Sequence, residues 1–189
     1  MNALTEHAEH ELDHRSEQLR KRENHKAQKS SNFALTHQIL VLDAYLEKRL
    51  DKRRYRTITR CFVAELLEVL GMLALGELGI YPAVDERAPG WSFIQPITTS
   101  HVSAHYFEKP GIGPHIRLDA YSCESIVWDR LIEVCHRHFC LKDWRATFIE
   151  REIDKEKHRT ITQLAGIGTR ITSNFALPQG GRERTEVAQ

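Results

Sequence analysis

The chain reads as an α+β protein, a two-layer sandwich with one antiparallel sheet and two helices packed on one of its faces. Two patterns predict this. Short runs alternate apolar and polar residues, as half-buried strands do. Two longer stretches repeat apolar residues at spacings of three and four, as amphipathic helices do. Their order is strand, helix, three strands, helix, strand, which favours hairpin-linked strands with helices segregated to one side.

The first strand is expected in "FALTHQILVLDAYL", residues 33–46, from its apolar density and charged flanks. In "RTITRCFVAELLEVLGMLALGELG", residues 56–79, Phe62, Leu66, Val69, Leu70 and Leu73 share one helical stripe, and Gly76 and Gly79 offer its stop. "YPAVDERAPG" is a polar loop. "WSFIQPITT" is a strand in which Pro96, having no N–H, argues for an edge position or a bulge. "SHVSAHYFE" places Val102, Ala104 and Tyr106 on one face and His101, Ser103, His105 and Phe107 on the other. After the turn "KPGIGP", "HIRLDAYSC" alternates again and completes a hairpin. "SIVWDRLIEVCHRHF" is the second helix, with Ser125 a candidate N-cap, and "DWRATFIERE" is the final strand.

With 189 residues there is enough chain for one core. Residues 1–32 form a polar N-terminal arm, 33–154 the α+β domain and 155–189 a polar C-terminal tail. The arm carries His7, His10, His14 and His25, which suit either adventitious metal binding or a solvated segment. Lys and Arg total 27 against 26 Asp and Glu, so no net field points to nucleic acid or to a membrane surface. No apolar run approaches the roughly 20 residues of a membrane span, and the N-terminus is too polar for a signal peptide, which predicts a cytoplasmic protein. Cys61, Cys123, Cys135 and Cys140 include no CxxC pair, so free thiols and no metal site are expected.

Chemistry-bearing residues concentrate in "TTSHVSAHYFEKPGIGPHIRLDAYSC", residues 98–123. On a strand, His101 and His105 share a face but lie about 13 Å apart, too far for one metal. Ser100-His101 lacks the GxSxG elbow of a hydrolase. Asp119 with His105 permits a triad, as many sheet residues do. Residue types alone leave His105 and Cys123 open to structural roles.

The same stretch resembles the bacterial-type S-adenosylmethionine decarboxylase family. The landmarks are Ser100, His101 and His105 as a Ser-His-x-x-x-His strand, Phe107 and Glu108 after it, and Asp119, Tyr121, Ser122 and Cys123 closing the next strand. Gly90-Trp91-Ser92 supplies a Gly-x-Ser with its serine eight residues before Ser100 (100 minus 92), and "THQILVLDAYL" resembles the family's opening strand. The likeness spans roughly residues 36–152.

The resemblance implies a self-cleaving enzyme of polyamine (spermidine) biosynthesis. Ser100 would attack the carbonyl of Thr99, and the Thr99–Ser100 bond would open to leave a pyruvoyl group generated from Ser100. That group would form a Schiff base with the small-molecule, amino-acid-type substrate. Ser92 and His105 would assist cleavage, and Cys123 would donate the proton after carboxylate loss. For His105 to reach Ser100 the chain must bend there, through a turn at Thr98-Thr99. Phe107, Glu108 and Glu86 are the implied substrate-binding residues. A homodimer of processed protomers is the implied assembly, favoured by an exposed edge near residues 91–98.

The chain also departs from the family pattern. Thr99 replaces the usual Glu, the acid at Glu108 stands one place early, and Asp85, Glu86 and Arg87 occupy a loop that elsewhere carries an aromatic residue. These changes admit ornithine or arginine as substrate, or a non-processing structural or regulatory homologue.

Overall fold

The computed structural model describes residues 37–98, 100–108, 113–151 and 160–177. The N-terminal arm, Thr99 and the last twelve positions of the expected tail (178–189) lie outside them. Eight strands form one antiparallel sheet: β1 (Gln38–Leu46), β2 (Gly79–Ala83), β3 (Gly90–Ile97), β4 (Ser100–Phe107), β5 (His115–Ser122), β6 (Leu141–Glu150), β7 (Ile161–Ile167) and β8 (Arg170–Ala176). Their spatial order is β2-β3-β4-β5-β1-β6-β7-β8. Helix α1 (Tyr55–Leu70) carries the chain from central β1 to the β2 edge, and strands β2 to β5 then meander back to β1. Helix α2 (Trp128–Phe139) crosses to β6 on the other flank of β1. The predicted α+β sandwich is therefore the observed architecture.

Strand alternation decides the layers. Leu40, Leu42, Ala44, Trp91, Phe93, Val102, Ala104, Ile116, Leu118, Trp144 and Ala146 point under the helices and are buried. Phe62 of α1 meets Phe93 of β3 at 5.8 Å and Phe139 of α2 at 4.5 Å between ring centroids, which joins sheet and helices in one core. The buried indole of Trp91 donates to Thr59 Oγ1 of α1 at 3.1 Å. The opposite face is open. It carries half-exposed Val41, Tyr45 and Ile94 among charges such as the Asp43–Arg117 pair.

Several boundaries differ from expectation. Helix α1 stops at Leu70 because Gly71 takes a left-handed φ of 64° and its N–H reaches back to Glu68 and Leu67 carbonyls. Residues 79–83, expected partly as helix and partly as loop, pair with β3 as β2. Consequently β3 is an interior strand, not an exposed edge, and Pro96 lies beyond the last β2 rung at Ile94. The cap of α2 is Val127 rather than Ser125, with no side-chain bond. The largest correction is at the C-terminus: residues 161–176 add the β7–β8 hairpin to the sheet. Its alternation is written with Thr, Gln, Ala and Gly, small or polar residues that hide a period-two pattern. Trp144 of β6 fastens the hairpin by donating from Nε1 to Gly168 O at 3.0 Å.

Candidate functional site

Register sorts the candidate residues into two groups on β3, β4 and β5. The first lies where β4 begins and β5 ends. His101 pairs with Tyr121, so one step further sets Ser100 level with Ser122, the residue before Cys123. Ser100 Oγ is buried and has no hydrogen-bond partner among the described residues. Buried hydroxyls are normally satisfied, so an orphan calls for a physical reason. Ser122 beside it is fully buried and already engaged, its Oγ accepting the Glu124 N–H at 3.0 Å.

On the open face of the same end, His37, which precedes β1, bonds through Nδ1 to the Tyr121 hydroxyl at 2.7 Å. The same nitrogen lies 3.7 Å from Cys123 Sγ. His101 meets the Tyr121 ring edge-on at 5.9 Å, and the Arg151 guanidinium lies over that ring at 5.6 Å. Cys123 itself is buried, at 2% exposure. Residue patterns singled out neither His37 nor Tyr121 as functional. Strand parity could have found them, because Tyr121 shares its face with Cys123, and His37 shares its face with residues 39 and 41 of β1.

The second group sits further along. Ser92 of β3 pairs directly with His105 of β4, and Ser92 Oγ lies 2.6 Å from His105 Nδ1. Phe107 follows on the same face, stacked on His115 at 4.7 Å and 18°. His115 Nδ1 is likewise buried without a partner among the described residues. The structure thus brings Ser92 to His105, and sets Ser100 level with Ser122, one residue before Cys123 but on the other face of the sheet. It does not bring His105 to Ser100. The chain does turn between Ile97 and Ser100, but β4 then runs unbroken to Phe107, so the turn cannot fold His105 back. Five residues of strand separate the two by about 17 Å.

The remaining expected substrate residues diverge. Glu108 leaves the end of β4 with its N–H on Pro89 O at 2.8 Å. It lines a cavity of about 190 Å³ with Lys52, Tyr55, Pro82 and Trp91. Glu86 is exposed in the 84–89 loop. There Asp85 caps the Arg87 N–H at 2.9 Å and pairs with its guanidinium at 2.7 Å. The Arg87 hydrogen bonds hold the Asp85 carboxyl below its ordinary range, and Arg87 is raised in return. The two charges therefore neutralise each other.

None of the four cysteines forms a disulfide. Among the described residues no three His, Cys, Asp or Glu side chains converge as metal ligands, and no helix is long and apolar enough to cross a membrane. A scan of the chain against models of known protein families finds no match, and no curated protein matches it.

Proposed function

We propose that the chain is a self-processing, pyruvoyl-dependent decarboxylase that acts on S-adenosylmethionine. The observation that carries this reading is the buried hydroxyl of Ser100 at the start of β4, which has no hydrogen-bond partner among the described residues. Four polar landmarks in family register support it from the sequence. In processing, the Ser100 oxygen bonds to the carbonyl carbon of residue 99 as the C–N bond breaks, and the hydroxyl proton passes to the released amine. A base then removes the Ser100 α-proton and the ester leaves as a carboxylate. Water finally displaces the nitrogen as ammonia, generating the pyruvoyl group.

The residues present fit that group: a hydroxyl not committed to any described partner, and a thiol one residue past the end of the neighbouring strand. When formed, the pyruvoyl ketone supplies the electron sink that carboxylate loss requires, without a separate cofactor. Cys123 delivers the proton that replaces the lost carboxylate, and His37, held by Tyr121, stands within reach of its sulfur. Ser92 fixes the orientation of the His105 ring.

Because His105 lies about 17 Å from Ser100 along its own strand, it serves the Ser100 of a second copy. Half-exposed Val41, Tyr45 and Ile94 offer apolar contact on the face that carries His105, whereas Ser100, paired with buried Ile97, turns to the other face, so the second copy must reach the start of β4. Phe107, stacked on His115 beside His105, provides an aromatic platform suited to a purine. Asp85 and Arg87 pair with each other, which leaves Glu86 as the exposed charge of that loop. A cytoplasmic location accords with four cysteines that form no disulfide.

The test is release of CO₂ from carboxyl-labelled S-adenosylmethionine, ornithine and arginine by the purified full-length chain. Release from S-adenosylmethionine alone, lost in Cys123→Ala, is the expected result. Release from ornithine or arginine alone overturns the substrate, and none from any of the three overturns the activity.

A further inference from the structure

The turn that holds the cleavage position has an unusual build. Ile97 pairs with Ser100, so the β3–β4 connection is a two-residue loop, Thr98 and Thr99. The two-residue connections that match strand twist, types I′ and II′, both require a positive φ at the first loop residue. Thr98 occupies that place, and Cys140 alone among described non-glycine residues has a positive φ. A β-branched residue disfavours that region. Thr98 therefore lacks the φ that types I′ and II′ ask of the first loop residue.

A separate segment braces the entering side of this turn. Leu73 O accepts both the Thr98 N–H at 3.0 Å and the Thr98 hydroxyl at 3.2 Å. Ala74 bridges to Ile97, and the Leu75 N–H donates to Pro96 O at 3.0 Å. Gln95, at 3% exposure, ties the two chains together: its Nε2 donates to Gly76 O at 2.9 Å and to Pro96 O at 2.8 Å. Both acceptors are carbonyls, so only the NH₂ end of the side chain can serve them. This short segment covers no core, and Leu73 and Leu75 stay 54% and 71% exposed. Among the described residues, its hydrogen bonds fall on residues 95–98.

We propose that residues 73–76, locked by Gln95, form a positioning clamp for self-cleavage. The clamp holds the residues entering the turn so that the Ser100 oxygen meets the carbonyl it must attack. Gln95 and Thr98 act through this placement and touch no reacting atom. The proposal rests on the processing reaction given above.

The test is the rate at which freshly made full-length chain converts to two fragments, followed by intact mass, with melting temperature recorded for each variant. Gln95→Met keeps the length of the side chain and removes both donors, and slows cleavage roughly 10- to 100-fold in a folded chain. Thr98→Val, at an exposed position, slows it several-fold. Gln95→Glu supplies the measurement that a merely structural residue would not move. Its carboxylate repels both carbonyls, whereas its protonated form donates to one, so its rate relative to wild type climbs as pH falls. Wild-type cleavage with equally fast, folded Gln95→Met and a flat Gln95→Glu ratio overturns the clamp alone. If Gln95→Met does not fold, Thr98→Val cutting at the wild-type rate with the same flat ratio overturns it. A wild-type chain that stays whole overturns the processing reaction and the clamp with it.

Discussion

If His105 acts across a dimer, two crippled chains should rescue one another. Within one chain, five strand residues put His105 about 17 Å from Ser100, while proton transfer needs roughly 3 Å or one bridging water. A His105→Ala chain alone should therefore cut itself slower by about 10²- to 10⁴-fold, the usual worth of a positioned acid or base. A Ser100→Ala chain cannot cut at all, but it carries an intact Ser92–His105 pair. Co-expressed in equal amounts with different tags, the two chains pair at random, and about half of the His105→Ala chains face an intact partner. About half of that chain should then appear as fragments by intact mass, while the Ser100→Ala chain stays whole. No cleavage in the mixture, or wild-type cleavage of His105→Ala alone, would refute the shared site.

Other outcomes follow from the packing. Tyr106 is buried and its hydroxyl accepts the Leu50 N–H at 3.0 Å, so Tyr106→Phe leaves a buried donor unpaired and should cost about 1–3 kcal/mol in denaturant unfolding. A Cβ at Gly90 would lie 1.8 Å from the Tyr106 carbonyl oxygen, so Gly90→Ala should part β3 from β4 at that end and cost more than about 2 kcal/mol. Stability should also fall at alkaline pH. Burial pushes the Cys135 thiol far above its ordinary 9.0, and burial pushes the Tyr106 phenol above 10.0. Both groups stay protonated in the fold but ionise in the unfolded chain, so their contribution is whole below pH 9 and drains away as pH rises. Each fully ionised unfolded group adds a slope of about 1.4 kcal/mol per pH unit, and Cys135→Ala should flatten the curve above pH 9.

The sheet was legible where apolar side chains marked the alternation, as in Val102, Ala104 and Tyr106 against His101, Ser103 and His105. It was illegible where small and polar residues did so, as in Thr162 and Gly166 on either side of Leu164 in β7. Helix α1 was overextended because Leu73 and Leu75 prolong an apolar pattern that Gly71 had already ended by its backbone conformation. For the candidate site, offsets along one strand were readable, and β4 parity alone separates Ser100 from His105. The contact of His37 with Tyr121 and Cys123 depends on the β1–β5 register, set by pairing across 84 residues. No local pattern encodes that register.

Intact mass spectrometry of the purified chain, with Ser100→Ala beside it, asks whether Ser100 becomes a pyruvoyl group. Two fragments meeting between Thr99 and Ser100 are expected, the second beginning in a pyruvoyl group that resists N-terminal sequencing and gains mass with phenylhydrazine, with no cut in the variant. One unbroken 21.9 kDa chain after prolonged incubation, unreactive to phenylhydrazine, would contradict that conversion.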